Sequence, residues 1–263
     1  RPDGSTFEIL ADRVVVAAGT TETPPLLRRS GLGGHRHLGR NLYLHPAVSI
    51  AGRFEQPVVA WEGVLQSAGI DERHDSDGIL IEATSTPPGM GTMLLPGHGA
   101  ELVAELDAAD HLASIGAMIA DEPSGRVLGR NQSVQTYNLS RNDGSKLLTA
   151  IGVMGRVLFA AGAIEVLTGI NSGPRARSID ELDEAISGAD IRSLHLAAFH
   201  PVGTAGAGRD DQRYPVDAEG RLRGVQGVWV ADASVLPTCP EVNPQVTIMA
   251  LAMAISKGIV DAQ

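Results

Sequence analysis

The fold is decided by two segments, "HPVGTAGAG" (200–208) and "GVWVADASVLPTCPEVNPQVTIMALAMA" (227–254). The second segment reads as a short buried strand, a loop and then an apolar helix. Asparagine is favoured at a helix N-cap and proline at the first helical position, so Asn243 and Pro244 predict where that helix starts. The first segment adds His200, an imidazole that can act as a base, to the same carboxyl-terminal region.

Strands and helices alternate along the rest of the chain. The β-branched run Val14 to Val16 is followed by two alanines and Gly19, which is typical of a buried strand that ends in a tight turn. The other predicted elements are a short helix over 20–27, strands over 45–54, 78–86 and 133–140, a helix over 100–120, a long helix capped by Asn142 or Asp143 and ending at Ile164, an acidic helix capped by Ser178, and a final helix from Pro244 to about Lys257. This alternation predicts a mixed α/β (α+β) architecture.

Composition and charge argue against several classes of function. Aromatic residues make up 3% of the 263-residue chain and the formal net charge is −10, so the chain supplies neither stacking platforms nor a basic surplus for nucleic acid. The longest apolar run, Ile248 to Ile255, is much shorter than the roughly 20 residues of a membrane span. Cys239 is the single cysteine, which excludes an intrachain disulfide. No signal peptide is recognisable, and we expect a cytoplasmic location.

His200 is the first candidate for chemistry. A histidine can take a proton from a hydroxyl near neutral pH and return it. Pro201, Gly203 and Gly206 surround it, which predicts a loop after the apolar segment 194–199, and loops on rigid sheets often carry catalytic groups. A structural histidine bonded to backbone is an equally good interpretation of the local sequence. His195 fits that structural interpretation better.

Polar residues near the last helix are the next candidates. The first turn of the helix that follows Asn243 presents free backbone N–H groups to an electron-rich ligand, although a plain helix cap explains Asn243 as well. Asp232 follows a strand, where ligands meet open α/β sheets, or it is an ordinary turn residue. Glu82 and Glu241 have no role that the sequence defines. No histidine spacing predicts a metal site, and no G-x-S-x-G motif predicts a hydrolase nucleophile.

Several motifs together resemble the glucose–methanol–choline (GMC) oxidoreductases, flavoproteins that oxidise alcohols. The stretches that carry the resemblance are "VVVAAGTTETPPLLRRSGLGG" (14–34), "LGRNLYLHP" (38–46), "HPVGT" (200–204) and the tail "VDAEGRLRGVQGVWVADASVLPTCPEVNPQVTIMALA" (216–252). The tail is the most specific of them. Three further stretches, "WEGVLQSAGIDE" (61–72), "TYNLSRNDGS" (136–145) and "VLFAAGA" (157–163), are similar to the long-chain alcohol oxidase branch.

The resemblance implies a role for each candidate residue. His200 would accept the substrate hydroxyl proton while hydride passes to FAD, and Asn243 would bond the alcohol oxygen or the flavin edge. The residues implied along the flavin are Asp232, Ala233, Pro244 and Gln245, with Gly19 near the adenine dinucleotide part. The helix amino terminus would favour the negative charge of reduced flavin. The implied substrate is an alcohol, and the branch resemblance favours a long-chain primary alcohol.

The resemblance also implies a division of the chain. Residues 1–45 would be the remainder of a Rossmann-like FAD-binding domain, and residues 46–190 a substrate-binding domain with an antiparallel sheet and helices. Residues 191–263 would complete the active site and the FAD-binding domain. The apolar stretch "MLLPG" (93–97) is a candidate lining of the substrate pocket, or simply core.

Two departures from the family pattern bear on function. Residues 205–208 are "AGAG" where the family commonly has "CRMG", so side chains that would brace His200 are absent. No G-x-G-x-x-G loop is present to hold a pyrophosphate. We therefore expect the catalytic part of an alcohol oxidoreductase whose amino-terminal FAD-binding segment is missing or separate. The alternatives are a non-catalytic interaction module or half of a split enzyme and, more distantly, a hydrolase.

Overall fold

The computed structural model describes residues 5–85, 87–91 and 95–261. The strands are β1 (Val14–Val16), β2 (Arg40–Leu42), β3 (Pro46–Arg53), β4 (Gly69–Ile70), β5 (Ile79–Thr84), β6 (Leu112–Ile119), β7 (Gly125–Leu128), β8 (Val134–Thr136), β9 (Glu165–Leu167), β10 (Arg175–Ala176), β11 (Leu196–Ala198) and β12 (Val228–Val230). The helices are α1 (Thr23–Arg29), α2 (His74–Asp77), α3 (Pro88–Gly91), α4 (Ala100–Asp107), α5 (Arg141–Ala160), α6 (Ile179–Ser187) and α7 (Gln245–Asp261). The predicted mixed α/β class is confirmed.

The largest sheet is antiparallel and runs in the order β10-β9-β3-β6-β5-β4, with β11 also paired to β3. Its two faces differ because side chains alternate along each strand. One face presents Val48 and Ile50, which pack with α5 in the main apolar core. The other face presents small side chains, among them Ser49 and its register partner Gly116. Because these side chains are small, open space remains above this second face of the sheet.

Helix α5 covers the core face of the sheet. Ser140 is its N-cap, and the Ser140 hydroxyl accepts a hydrogen bond from the Asp143 N–H at 3.0 Å. The prediction of Asn142 or Asp143 as the cap was therefore wrong, because the serine one turn earlier satisfies the free amide. A side chain at Gly155 would lie 2.4 Å from Leu182, so glycine lets α6 approach closely. The capping of α6 by Ser178 is confirmed.

The helix predicted over residues 100–120 was wrong beyond its first turns. The helix α4 ends at Asp107, and β6 occupies Leu112–Ile119 between β3 and β5. Alanine, leucine and methionine favour a helix in isolation, but two flanking strands bond to both edges of this segment. The strand predicted over 133–140 is shorter than expected, at Val134–Thr136. Residue 86, the predicted end of the 78–86 strand, lies outside the described residues.

A second layer combines both ends of the chain. Strand β1 pairs in parallel with β12, with Val15 opposite Trp229. Val16, Leu27 and Ile255 join the buried cluster beneath this pair. Helix α7 begins at Gln245, close to its predicted start. Among the described residues no helix combines the length and apolar character of a membrane span.

Candidate active site

His200 follows β11, and the loop after it is held by reciprocal contacts with the end of β1. The Thr20 hydroxyl donates to the Pro201 carbonyl at 2.7 Å, and the Thr204 hydroxyl donates to the Thr20 carbonyl at 2.6 Å. Both threonines are buried, so water does not compete for these bonds. The loop that carries His200 is therefore fixed to the β1–α1 turn.

Backbone contacts replace the side chains missing from the "AGAG" stretch. Tyr43 and Val202 exchange backbone hydrogen bonds of 3.1 and 3.0 Å. Ala205 donates to the Ser234 carbonyl at 2.9 Å, which ties the loop to the segment after β12. Gly203 has φ +98°, and a side chain there would lie 2.4 Å from the Asn41 carbonyl oxygen. The positioning of His200 thus depends on main-chain geometry that requires a glycine.

The imidazole of His200 is half-buried in this setting. Burial lowers the pKa of His200, and the nearby Glu82 carboxylate opposes that change. The ring of His45 lies with its centroid 5.5 Å from that of His200. Burial, followed by the charge of His200, lowers the pKa of His45 to about 4. At neutral pH both rings are therefore uncharged, and His200 is in the form that accepts a proton.

A buried carboxylate supports His45 from behind. The Asp121 oxygens accept the backbone N–H groups of Leu44 at 2.9 Å and His45 at 3.1 Å, and the Tyr137 hydroxyl at 2.9 Å. His45 has φ +55°, a left-handed conformation that a non-glycine residue adopts only when it is held there. Asp121 and Tyr137 were not anticipated, because the residues they support lie far away in sequence.

Asn243 does not cap its own helix. Its Nδ2 donates to both carboxylate oxygens of Glu82, at 2.9 and 3.1 Å, while its Oδ1 is buried and has no hydrogen-bond partner among the described residues. The cap interpretation of Asn243 was therefore wrong, because Oδ1 is the atom that would accept a first-turn N–H. Asn243 bonds Glu82, and Glu82 lines the same cavity as His200, so Glu82 connects the two predicted catalytic residues indirectly.

Asp232 joins the ends of the parallel strand pair. Its Oδ2 accepts the Gly19 N–H at 2.9 Å and the Thr23 hydroxyl at 2.6 Å, and its Oδ1 accepts the Ser234 N–H at 2.8 Å. Gly19 has φ +83° with open space around it. Ala233 starts the turn that Asp232 caps. Asp232 thus stabilises both the turn after β1 and the turn after β12.

A cavity of about 240 Å³ opens beside His200, over the small-residue face of the sheet. Its lining includes the small residues Ala47, Ser49, Gly116 and Ala197, the apolar residues Leu65, Met118 and Phe199, and the polar residues Glu82 and His200. A smaller cavity of about 60 Å³ shares Ser49, Ser85 and Ser114 with it and reaches Leu95. Residues 93 and 94 of the "MLLPG" stretch lie outside the described residues.

The sequence alone assigned no role to Glu82, although the alternation of residues in β5 indicates which face of the sheet it occupies. Ile79 and Ile81 of β5 are buried in the core, so Glu82 is the charged residue that alternation places on the opposite face. His195, assigned a structural role, lines the cavity at its edge. Among the described residues no group of histidine, cysteine, aspartate or glutamate side chains is arranged to hold a metal ion.

Comparison with known proteins gives the family. The profiles described as GMC oxidoreductase match residues 1–47 and 128–252, together more than half of the chain. A GMC-type oxidoreductase of Mycobacterium tuberculosis is 62% identical over 257 residues, covering 97% of this chain and 41% of its own length. A long-chain-alcohol oxidase of Arabidopsis thaliana is 30% identical over 281 residues, covering 98% of this chain and 38% of its own length.

Solved structures share the fold. Pyridoxine 4-oxidase from Mesorbium loti superposes with a TM-score of 0.61 at 21% identity, covering 95% of this chain and 51% of that one. Formate oxidase from Aspergillus oryzae gives 0.64 at 16% identity, covering 95% and 54%. The chain thus spans about half or less of the proteins it matches. GMC oxidoreductases are FAD-binding flavoproteins. The motifs, the fold and these matches agree, and the chain belongs to the GMC oxidoreductase family.

Proposed function

We propose that this chain carries the catalytic base and the substrate cavity of a FAD-dependent oxidoreductase that acts on the CH–OH group of an alcohol. The observation that carries the proposal is geometric: the half-buried His200 lines a largely apolar cavity together with Glu82, the carboxylate that Asn243 bonds. A redox reaction of this kind needs a proton acceptor and polar groups that hold the substrate and the flavin. His200 is the candidate acceptor, and the Oδ1 of Asn243 is a candidate partner for a donor on the ligand.

His200 would take the hydroxyl proton of the alcohol. Its ring is uncharged at neutral pH because burial lowers its pKa, so it can form a new N–H bond as the substrate O–H bond breaks. FAD, when bound, supplies the acceptor for the hydride that leaves the hydroxyl-bearing carbon of the alcohol. The products are an aldehyde and a protonated His200, which then returns its proton to solvent. The buried His45 ring packs beside the His200 ring.

The residues predicted to hold the flavin fit an electron-rich ring. Helix α7 has 17 residues, and the N–H groups of its first turn have no partner within the helix. Gln245 is exposed at that turn, and Pro244 before it is buried and fixes the direction of entry. Ala233 offers a side chain too small to obstruct a planar ring. The unpaired Oδ1 of Asn243 adds an acceptor for a ring N–H group.

Gly19 and Asp232 would serve the dinucleotide end of the cofactor. Gly19 has a positive φ, and within the part of the chain that the structure describes no atom lies within 4 Å of a side chain built on it, so a ligand can approach its backbone closely. Asp232 would act through Gly19, since it accepts the Gly19 N–H. This arrangement provides a turn but not a pyrophosphate loop.

An amino-terminal FAD-binding segment would cover the apolar side chains that this chain leaves open. Val14 and Val15 of β1 are 49% and 48% exposed, and Val246 and Met253 of α7 are 72% and 74% exposed. An exposed apolar patch of this kind marks an interaction surface. We propose that the segment docks there, either within one polypeptide or as a separate chain. A split enzyme is the second candidate arrangement, and the same exposed surface favours it.

The cavity favours an alcohol with an alkyl chain. Its lining is largely apolar, and the smaller cavity next to it extends the apolar space along the sheet towards Leu95. An alkyl group gains about 0.8 kcal/mol for each methylene that it buries. We therefore propose a long-chain primary alcohol as the substrate, and we expect longer alcohols to give lower KM values until the two cavities are filled.

The test is to express the chain joined to, or together with, the amino-terminal segment of the M. tuberculosis relative and to record the flavin absorbance. Stopped-flow mixing with primary alcohols of increasing length then measures flavin reduction. We expect His200→Ala to slow reduction by about a hundredfold or more, and Asn243→Ala to slow it as well. His98→Ala, at an exposed histidine that is not part of the cavity lining, is the matched control. A folded but colourless assembly, or unchanged rates in His200→Ala, would refute the proposal.

A further inference from the structure

We propose that Glu82 is a positioning residue that fixes the amide of Asn243 in one orientation and holds a negative charge beside His200. This inference rests on the proposed function for the reaction in which His200 and Asn243 take part. The contacts of Glu82 come from the structure alone. Glu82 is bonded by Asn243 and lines the same cavity as His200.

The orientation of the Asn243 amide follows from the chemistry of a carboxylate. An ionised carboxylate has acceptors but no donor, so only the NH₂ end of an amide can face it. Nδ2 of Asn243 lies 2.9 Å from Oε1 and 3.1 Å from Oε2 of Glu82. The other end of the amide, Oδ1, is then turned away and buried, and no residue in the described part of the chain bonds it. Asn243 is thereby presented to a ligand as a hydrogen-bond acceptor.

This orientation has a consequence for catalysis. The Oδ1 of Asn243 can receive a hydrogen bond from a donor on the substrate or cofactor. If the Asn243 amide could flip, it would present its NH₂ group for part of the time. An NH₂ group is itself a donor and cannot bond a donor on the ligand. Leaving a buried polar group unpaired is costly, so a fixed amide discriminates between ligands by the groups they offer.

The strand neighbours of Glu82 leave room for this role. In register, Glu82 lies opposite Gly116 of β6 and Gly69 of β4, neither of which has a side chain to crowd it. Gln66 donates its Nε2 to Oε2 of Glu82 at 3.0 Å. The carboxylate therefore accepts from two amides at once, which holds it in place at the edge of the cavity.

The charge of Glu82 also acts on His200. The titratable groups facing His200 are Glu82 from β5, His45 from the segment before β3, and His195 at the edge of the same cavity. Burial lowers the pKa of His200 and Glu82 raises it. Removing the charge of Glu82 leaves burial unopposed, so the pKa of His200 must fall further.

The test uses NMR on the 263-residue chain and needs no flavin. The ring signals of His200 are assigned by comparison with His200→Gln, and their pH titration is followed in the parent chain and in Glu82→Gln, Glu82→Asp and Glu72→Gln. We expect the His200 midpoint to move to lower pH in Glu82→Gln and to stay near the parent value in Glu82→Asp. Glu72 is exposed and leaves the midpoint unchanged when substituted.

The side-chain amide signals of Asn243 provide the second measurement. In the parent chain we expect one Nδ2 proton shifted downfield and slow to exchange, as for a hydrogen bond to a carboxylate. Glu82→Gln should lose both properties, and Glu82→Asp should retain them in part. An unchanged His200 midpoint together with unchanged Asn243 signals in Glu82→Gln overturns the inference, provided the backbone spectrum shows a folded chain.

Kinetics on the flavin-loaded assembly separates this inference from the proposed function. Glu82→Gln should lower kcat by about tenfold or more with a smaller change in KM, because the loss is in orientation. The acid limb of the kcat/KM profile should move to lower pH, as the His200 midpoint does. A positive NMR result with no alcohol oxidation would refute the proposed function alone. A colourless assembly would leave the NMR test of Glu82 decisive by itself.

Discussion

Alanine at Gly203 should destabilise the fold by two separable effects, and the chain contains a control for one of them. Gly203 has φ +98°, and a side chain there would meet the Asn41 carbonyl oxygen at 2.4 Å. Gly162 has φ +99°, and no atom of the described residues lies within 4 Å of a side chain added to it. The backbone strain is therefore nearly equal at the two sites, while the steric clash occurs at Gly203 only.

The magnitudes follow from these geometries. Placing an L-residue in the left-handed region costs about 1–2 kcal/mol, which is the full expected effect of Gly162→Ala. Gly203→Ala adds the displacement of a main-chain carbonyl that cannot rotate away, at roughly 1–3 kcal/mol more. Gly203 also follows His200 by three residues, so the adjustment moves the candidate base.

Urea denaturation of both variants, monitored by circular dichroism, measures the difference in free energy of unfolding. We expect Gly203→Ala to lose clearly more stability than Gly162→Ala, and its His200 ring signals to shift while those of Gly162→Ala do not. Equal losses at the two sites would refute the argument, because they would show that the loop does not need the close approach to Asn41.

Three further predictions concern stability. The pKa of His45 is 6.5 in the unfolded chain and about 4 in the folded one. Between pH 6.5 and pH 4 the unfolded state therefore binds a proton at His45 that the folded state does not. The free energy of unfolding should drop by about 3 kcal/mol over this range. His45→Gln should flatten that pH dependence in urea titrations; an unchanged slope would show that another group titrates. Ser140→Ala should cost about 1 kcal/mol through loss of the α5 cap, seen as a lower urea midpoint, whereas an unaltered midpoint would mean that the cap contributes nothing. Glu105→Gln should cost roughly 3 kcal/mol with little salt dependence, because Glu105 is buried and paired with Arg53 and Arg175; screening of the effect by salt would contradict its burial.

Local pattern was enough for the elements whose sequence and environment agree. Ser178 satisfies the first turn of an acidic helix within its own segment, and β3 alternates between a core side and an open side. The β6 segment shows the limit of this reasoning. Its alanines and methionine favour a helix, and only the strands on either side make it a strand.

Some features of the candidate site can likewise be predicted from the sequence, and others depend on the tertiary structure. The sequence alone determined the family, the residue that can act as base and the start of the last helix, because these depend on short, ordered motifs. The tertiary structure decided that Asn243 bonds Glu82 rather than its own helix, and that His45, supported by Asp121, lies beside His200. These contacts join residues separated by many tens of positions, and no local energy term favours them. They form only when the sheet, the His200 loop and the last helix have packed together.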